Sequence, residues 1–526
     1  MNYLKVSRAP ELQGADRRLY RFLEILPGAL SWLTLLGLIV LAYFQPVWVA
    51  VFLIFFDVYW LLLVLYLGIH LLASYRQLKK NLKINWLAKC QHLGPRSIMI
   101  RDNQGQPTTS TLVWQDMYHL IVLPVYLESL EIIRTGLQSL INDGYPTDKM
   151  IVVLAMEEAT GSEAHDRAKI IEQEFQGKFK QLFWSWHPAN IPGEFRGKGS
   201  NQAWAARQVK QEIIDAQNID YHKILVSVFD IDTIVRPGYF GRLTHAFLTV
   251  PDPYRASYQP IPVYHNNIWQ APFFSRIAAF SNTFWQMIQQ VRSEKLATYS
   301  SHSMTWQALV DIDFWSTNMV SEDSRIFFHC FCHYQGVYRV EPLYYPVSMD
   351  ACLDKRFLIT AQNLYKQQRR WGWGVENLPY LIFNTIKRWK NLQNKRKFLS
   401  EIFLVQMYGF HSWATYALII AVVGWTPILL GGDAFNTTVV STNLPFVTRW
   451  LMTLAMIGLV ISAILSNLML PKRPKTVSVW KNLAMVIQWL ILPFTIVFFG
   501  SIPALEAQTR LLLGKYMGFW HTPKER

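Results

Sequence analysis

Long apolar segments occupy the two ends of the chain. Residues 25–44 and 47–73 form two of them, separated by the turn pair Gln45-Pro46, and each could cross about 30 Å of hydrocarbon as a helix. Because the second follows at once and no small-residue cleavage site intervenes, we predict a transmembrane hairpin rather than a signal peptide. Three further apolar segments lie at residues 411–431, 447–470 and 482–504.

The last apolar segment conflicts with a simple count of spans. Basic residues flank the hairpin and the other segments on one side, the positive-inside pattern, whereas a fifth full span would put the basic C-terminal tail outside. Pro493, Gly500 and Pro503 interrupt this segment. We therefore predict a re-entrant or interfacial pair of half-helices that returns the tail to the cytoplasm.

The middle of the chain has a different pattern, in which short β-rich runs alternate with amphipathic stretches. This alternation predicts an α/β domain with a Rossmann-like, mostly parallel sheet covered by helices, the arrangement of many nucleotide-binding domains. The predicted strands are Tyr118–Val125, Met150–Met156, Leu182–Trp186 and Lys223–Phe229. The predicted divisions are a membrane hairpin with linker at 1–110, the α/β domain at 111–395, interfacial and transmembrane helices at 396–505, and a tail at 506–526.

Composition agrees with this division between membrane and soluble parts. Of 526 residues, 51% are hydrophobic and 17% charged, and the formal net charge is +15. Because many of the bases flank apolar segments, we assign the charge to a membrane surface and expect no nucleic acid. The four cysteines lie outside the apolar segments on the side predicted to be cytoplasmic, so disulfides are not expected.

The predicted strand 223–229 runs directly into Asp230-Ile231-Asp232. Strand geometry places these two carboxylates at the carboxyl edge of the sheet, where they could hold Mg²⁺ or Mn²⁺ together with phosphate oxygens. Asp311-Ile312-Asp313 repeats the spacing but lacks a preceding apolar strand, so we interpret it as structural.

A second acidic motif is Ser321-Glu322-Asp323, which precedes an amphipathic run. Its carboxylates either cap a helix or include a general base that takes a proton from a hydroxyl group. The sequence alone leaves both interpretations open.

The third motif is Gln367-Gln368-Arg369-Arg370-Trp371. Arg370 could clamp a phosphate with two hydrogen bonds, and the ring of Trp371 could stack on a sugar. The alternative is a basic interfacial helix, which suits the bases that follow at 387–397.

In this order and between membrane segments, the three motifs resemble the family 2 glycosyltransferases of the cellulose synthase-like and hyaluronan synthase-like group. The resemblance extends from about Leu120 to Lys524 and implies a GT-A-like fold. It implies that Asp230 and Asp232 bind metal and donor and that Asp323 is the general base. Further donor-binding residues would be Pro124, Tyr126, Glu128, Glu157, Lys198, Asn201, Gln367 and Arg370. Glu322, Trp371 and His302 would bind the acceptor, and Thr522 and Lys524 would belong to a gating loop.

The chain departs from the family pattern at two of these positions. Glu157, in Met156-Glu157-Glu158, stands where the family usually has an Asp pair. Because its side chain is longer, the pattern does not decide between uracil and guanine as the base of the donor. UDP-sugars are favoured, and GDP-sugars are the alternative. His521 replaces the usual Val of the gating loop, and the alternative for that tail is a frayed basic end.

The resemblance predicts inverting, metal-dependent sugar transfer from a nucleotide sugar to an acceptor hydroxyl at the cytoplasmic face of the plasma (inner) membrane. The leading version is processive polysaccharide synthesis with translocation, in which the acceptor is the growing glycan. An alternative is the addition of one sugar to a lipid-linked acceptor, and a third is a transporter without catalysis.

Overall fold

A computed structural model describes residues 2–101, 107–518 and 520. Each of the four predicted strands is present, as β3, β4, β5 and β6, with small shifts at the ends. The strands of the described residues are β1 (Arg96–Arg101), β2 (Pro107–Leu112), β3 (Tyr118–Pro124), β4 (Met150–Glu157), β5 (Gln181–His187), β6 (Ile224–Val228), β7 (Ile234–Val235), β8 (Ala256–Val263), β9 (Ser303–Thr305) and β10 (Arg339–Ser348).

Within the described residues, eight of the strands form one mixed sheet in the order β5-β4-β3-β6-β9-β8-β10-β7, and β1 and β2 form a separate hairpin. Strands β5, β4, β3 and β6 are parallel neighbours, whereas β9 runs antiparallel to both β6 and β8. The chain passes from β3 outward to β5 and then returns to place β6 on the other side of β3. This change of direction puts a crevice at the carboxyl ends of β3 and β6, where open α/β sheets bind ligands.

Helices pack on both faces of this sheet. Strands β3, β4 and β6 are almost entirely buried, which explains their continuous apolar sequences. The helices of the domain in the described residues are Trp86–Gln91, Leu130–Ile141, Ser162–Phe175, Lys198–Val209, Tyr239–Thr249, Phe273–Val291, Trp306–Asp311, Glu322–His333, Phe357–Gly372 and Asn377–Arg388. The GT-A-like fold expected from the sequence is confirmed.

Five helices of the described residues are long and apolar enough to cross a membrane. We call them the first to fifth long helices. Their bounds are Gly14–Phe44, Pro46–Asn81, Lys395–Leu430, Val439–Met469 and Trp480–Leu512. Each of the five apolar segments found in the sequence corresponds to one of them, although segments 411–431 and 447–470 each run one residue past the end of the helix.

The second and fourth long helices run side by side in the same direction. A Cβ on Gly458 would lie 2.6 Å from the side chain of Val64, and a Cβ on Gly68 would lie 3.0 Å from that of Ile461. The second helix ends at the α/β domain, where Asn81 Nδ2 donates to Leu343 O at 3.2 Å. This contact defines the domain-proximal end of the helical bundle, at which the fourth helix also ends.

The fifth long helix differs from the predicted pair of half-helices, because it is one helix from Trp480 to Leu512. Its turns do change geometry at Gln488–Ile491 and Val497–Ser501, beside the prolines and the glycine that suggested a break. Thr509, near its C-terminal end, accepts a hydrogen bond from Trp32 Nε1 at 2.8 Å.

The N-terminal half of the fifth long helix also lies at the domain-proximal end of the bundle. Trp489 Nε1 donates to Ser466 Oγ at 2.9 Å, near the end of the fourth helix. Gln488 Oε1 accepts from Arg276 Nε of the α/β domain at 2.6 Å. The fifth long helix therefore begins near the domain-proximal end of the fourth helix and ends near that of the first, where Arg21 Nη1 donates to Leu511 O at 2.8 Å.

The four cysteines are free and buried. Cys330 and Cys332 lie in helix Glu322–His333 and belong to the main hydrophobic cluster of the domain, together with Val226 and Trp306. The compact run of His329, Cys330, Cys332 and His333 in this helix is therefore part of the core packing.

Candidate active site

Two carboxylates from distant parts of the chain meet on one ammonium group. Lys198 Nζ lies 2.8 Å from Asp230 Oδ1 and 2.8 Å from Asp323 Oδ2. Burial alone would lower the pKa of Lys198, but the negative charges of Asp230 and Asp323 outweigh burial and raise the pKa well above its ordinary value. The three side chains form a charged cluster at the carboxyl edge of the sheet.

Local packing explains why these elements approach so closely. Lys198 and Gly199 begin helix Lys198–Val209, and Asp323 lies in the first turn of helix Glu322–His333. A Cβ on Gly199 would stand 2.9 Å from Ser316 O and 3.1 Å from the Cβ of Glu322. Only glycine allows this approach without displacement of the backbone, so Gly199 is needed to bring Lys198 to Asp323.

Asp230 and Asp232 have different surroundings. Asp230 Oδ2 accepts from Ser300 Oγ at 2.7 Å, and its side chain is partly exposed. Asp232 is buried, and its Oδ2 accepts from the backbone amide of Asp350 at 3.0 Å. Asn266 Nδ2 donates to Asp232 O at 2.9 Å and to Asp350 Oδ1 at 2.8 Å, so the end of β10 supports the turn that carries both aspartates.

Two carboxylates on one turn suit a divalent cation that also binds diphosphate oxygens. No group of three or more His, Cys, Asp or Glu side chains able to hold a metal occurs among the described residues. A cation at Asp230 and Asp232 would therefore depend on the substrate for its remaining ligands. The donor set of this turn fits Mg²⁺ or Mn²⁺, both of which favour oxygen.

Glu322 and His302 are both buried beside Asp323. Burial, followed by the charge of Asp323, raises the pKa of Glu322, while Lys198 and Arg370 act in the opposite direction. His302 Nδ1 lies 2.9 Å from Tyr299 O and 4.0 Å from Asp323 Oδ1, and burial lowers the pKa of its ring. Neither side chain presents a surface to solvent in this structure, which differs from the direct contact with an acceptor expected from the sequence.

Gln367, Arg370 and Trp371 lie on helix Phe357–Gly372. Gln367 and Trp371 line a small cavity with Tyr264. The charge of Arg370 acts on Glu322, which places this helix beside the cluster of Lys198, Asp230 and Asp323.

The fifth long helix holds this helix in place. Its Glu506 accepts hydrogen bonds from Tyr365 Oη at 2.8 Å and Arg369 Nη1 at 2.7 Å. A Cβ on Gly372 would stand 3.0 Å from Ala504 Cα, so the two helices pack closely. Sequence reasoning missed Glu506, because nothing in its local pattern distinguishes it from an ordinary polar residue of a helix.

The remaining predicted donor residues lie along the carboxyl ends of β3 and β4. Pro124 ends β3, and the backbone amide of Tyr126 donates to Glu128 Oε2 at 2.7 Å. Asn201 Nδ2 donates to Ala155 O at 2.7 Å. Glu157 ends β4 and is buried. These groups lie in a row that continues away from Asp230 along the sheet edge.

Two predicted residues lie outside the described part of the chain. These are Thr522 and Lys524 of the expected gating loop. Tyr516, before that loop, donates from Oη to Glu24 Oε2 at 2.7 Å. The described part of the tail is therefore attached to the first long helix.

Comparison with known proteins identifies the family. Residues 225–502, more than half of the chain, match the family described as glycosyl transferase family group 2. The chain belongs to this family of glycosyltransferases, which sets aside the alternative of a transporter without catalysis. No curated protein sequence matches the chain.

Two solved structures show weaker likeness to this one. A mannosyltransferase from Pyrobaculum calidifontis, solved with GDP-Man and Mn²⁺, is 14% identical with a TM-score of 0.39, over 77% of this chain and 99% of that one. Residues 1–349 of TarS from S. aureus are 12% identical with a TM-score of 0.35, over 66% of this chain and 90% of that one. At such low TM-scores, the assignment of this chain depends on the family match.

Proposed function

We propose that this glycosyltransferase transfers a sugar from a nucleotide sugar to an acceptor hydroxyl with inversion at the anomeric carbon. One observation carries the proposal. Asp230 follows the central strand β6 and Asp323 opens a distant helix, yet both bind the same ammonium group of Lys198. Independent motifs therefore meet at the crevice where an α/β sheet binds its ligand.

Asp323 is the proposed general base. It takes the proton of the acceptor hydroxyl as the acceptor oxygen bonds to the anomeric carbon, on the face opposite the bond to the diphosphate. The bond between the anomeric carbon and the diphosphate oxygen breaks, and its electron pair leaves with the diphosphate. Because a single displacement reverses the configuration, inversion follows.

Charge on the leaving diphosphate must be neutralised as it develops. Arg370 and Lys198 are the cationic side chains placed to do so. A magnesium or manganese ion held by Asp230 and Asp232 would supply further positive charge to the phosphate oxygens. We assign Trp371 as the platform for the acceptor sugar, and Glu322 and His302, both buried, as residues that position Asp323.

The nucleoside is proposed to lie along the ends of β3 and β4, against Pro124, Tyr126, Glu128, Glu157 and Asn201. Gln367 would approach the diphosphate from the opposite side. A carboxylate such as Glu157 can accept from the N–H groups of uracil or guanine. UDP-sugars and GDP-sugars are therefore both candidate donors, and UDP-sugars are expected to react.

We propose that the α/β domain lies on the cytoplasmic side of the plasma (inner) membrane. Bases concentrate at the domain-proximal ends of the long helices, as the positive-inside rule requires. They include Lys79 and Lys80 in the last turn of the second helix, Lys83 just after it, and Lys472, Arg473 and Lys475 after the fourth.

We further propose that four of the five long helices cross the membrane and that the fifth lies along its cytoplasmic surface. The fifth helix would be about 50 Å long at 1.5 Å per residue, yet both of its ends contact domain-proximal parts of other helices, through Trp489 near its start and through Leu511 O, which accepts from Arg21 Nη1 at 2.8 Å. Leu490, Phe494 and Phe498 on its other face are exposed and suit the acyl boundary. This placement keeps the C-terminus inside.

The test uses purified protein in lipid, supplied with labelled UDP-sugars and GDP-sugars and with Mg²⁺ or Mn²⁺. We expect product from wild type and none from Asp323→Asn. Asp313→Asn is the matched control. Asp313 belongs to the second Asp-x-Asp motif, and its carboxylate pairs with Lys5 near the N-terminus and not with Lys198. Equal product from wild type and Asp323→Asn would remove Asp323 from its role.

The size of the product distinguishes two acceptors. We propose processive synthesis of a glycan, because the motif that contains Gln367, Arg370 and Trp371 resembles the corresponding motif of processive enzymes. A ladder of long chains supports this proposal. A single mass increment on a lipid would instead establish transfer to a lipid-linked acceptor.

A further inference from the structure

A buried histidine lies between two glutamates at the edge of the nucleoside crevice. His187 ends β5, directly beside Glu157 in the register of β4 and β5. Its Nδ1 lies 3.2 Å from Glu157 Oε2, and its Nε2 lies 3.1 Å from Glu194 Oε2. Both ring nitrogens donate to these carboxylates only when the imidazole carries a positive charge.

Glu194 belongs to the loop 188–197, which leads into the helix that begins with Lys198. The same loop is attached at two further points. The amide of Phe195 donates to Thr317 O at 2.7 Å, and Arg196 Nη2 donates to Tyr126 Oη at 3.2 Å. His187 therefore connects this loop to the end of β4, on the side of the crevice where the base is proposed to bind.

We propose that His187 is a positioning residue for donor binding, whose imidazolium fixes Glu157 and the loop 188–197 around the nucleoside. The inference rests on the proposed function. Glu157 can accept hydrogen bonds from the base only if its carboxylate keeps one orientation, and the bond from His187 Nδ1 supplies that restraint. The bond from Nε2 to Glu194 holds the loop in the same way.

This arrangement depends on pH. Burial would lower the pKa of His187, but its hydrogen bonds to Glu157 and Glu194 outweigh burial and raise the pKa above the ordinary 6.5. The groups that face the ring are Glu157 from β4, Glu194 from the loop and the uncharged ring of Trp204. A folded-state pKa above the ordinary value means that both bonds are complete below pH 6.5 and that one is lost as pH rises through the raised pKa.

The test measures the dissociation constants of UDP and GDP for the full-length protein over a range of pH. The variants are His187→Gln, Glu194→Gln and, as matched control, His165→Gln, which removes an imidazole stacked on the neighbouring Trp186 but no bond to a glutamate. The nucleotide phosphate also titrates, near pH 6, but it does so equally for each protein. The measured quantity is therefore the dissociation constant of each variant divided by that of wild type at the same pH.

At low pH, we expect His187→Gln to weaken nucleotide binding about tenfold, the effect of one charged hydrogen bond. The ratio of the dissociation constant of His187→Gln to that of wild type should fall toward one as pH rises. The KM for the donor should change with pH in the same way, and kcat should change less than about twofold. Glu194→Gln should show a smaller effect with the same trend, and His165→Gln should match wild type.

Two results would overturn the inference. A constant ratio for His187→Gln across pH, with its thermal unfolding midpoint unchanged, would show that the charge of His187 does not act on the donor. A loss of kcat without a change in KM would place its effect on chemistry instead. If wild type bound neither nucleotide, the proposed function itself would fall, and this inference with it.

Discussion

Removing the ammonium of Lys198 should be costly, because it would leave two carboxylates facing each other. Its side chain is 9% exposed, and Nζ lies 2.8 Å from an oxygen of both Asp230 and Asp323. Loss of one partner of a buried ion pair typically costs about 3–5 kcal/mol. Since the carboxylates are about one quarter exposed, we expect about 2–3 kcal/mol for Lys198→Met.

A double-mutant cycle isolates the contact with Asp323. Lys198→Met, Asp323→Asn and the double variant are compared by thermal unfolding in detergent, where about 1 kcal/mol corresponds to about 2–4 °C for a domain of this size. We expect the double variant to be less destabilised than the sum of the two single variants by about 2 kcal/mol. Lys210 and Asp215, an exposed pair at 2.6 Å, provide a matched cycle expected to give less than about 1 kcal/mol. Additive effects for Lys198 and Asp323 would refute the reasoning.

Three further outcomes are expected. Asp323→Asn should lower kcat at least about 100-fold and leave nucleotide binding intact, as measured by turnover and titration calorimetry. Burial and the charge of Asp323 raise the pKa of Glu322, so its ionisation destabilises the folded state as pH rises above the ordinary value of 4.5. In thermal unfolding, Glu322→Gln should therefore unfold at a higher temperature than wild type in alkaline buffer and at the same temperature below pH 4.5. Lys515→Cys should react with an impermeant maleimide only from the cytoplasmic side, and labelling from outside would mean that the fifth long helix crosses the membrane.

The sequence predicted the α/β domain well because its signals are local. Strands β3, β4 and β6 are buried on both faces, so their apolar runs are continuous and easy to separate from the amphipathic helices between them. It did not predict β7, β8, β9 or β10, or the hairpin of β1 and β2. Pairing of the shortest of these strands, β7 and β9, depends on tertiary neighbours more than on local pattern.

The sequence predicted the acidic residues of the candidate site but not the ion pairs and hydrogen bonds between them and other residues. Asp230 follows an apolar strand, a pattern that sequence shows directly. The position of Lys198 between Asp230 and Asp323 depends on the packing of Gly199 against Glu322, which involves residues far apart in the chain. The bond from Ser300 to Asp230 depends on tertiary structure in the same way.

In the proposed arrangement, the fifth long helix would connect the membrane surface to the candidate active site. The sequence predicted an interfacial position for this segment but not its contacts with the helix that carries Arg370. Its length and apolar character are those of a span, whereas the interrupting prolines and glycine, the basic tail and the positions of its polar contacts favour a surface location. Glu506 binds Tyr365 and Arg369 on the helix that carries Arg370, while Phe494 on the same long helix is exposed. In the proposed surface position, a helix with acyl chains on one face and the helix of Arg370 on the other would fix the depth of the candidate site below the bilayer. An acceptor that entered from the membrane would then meet Trp371 at a constant distance from the lipid, without any motion of the α/β domain.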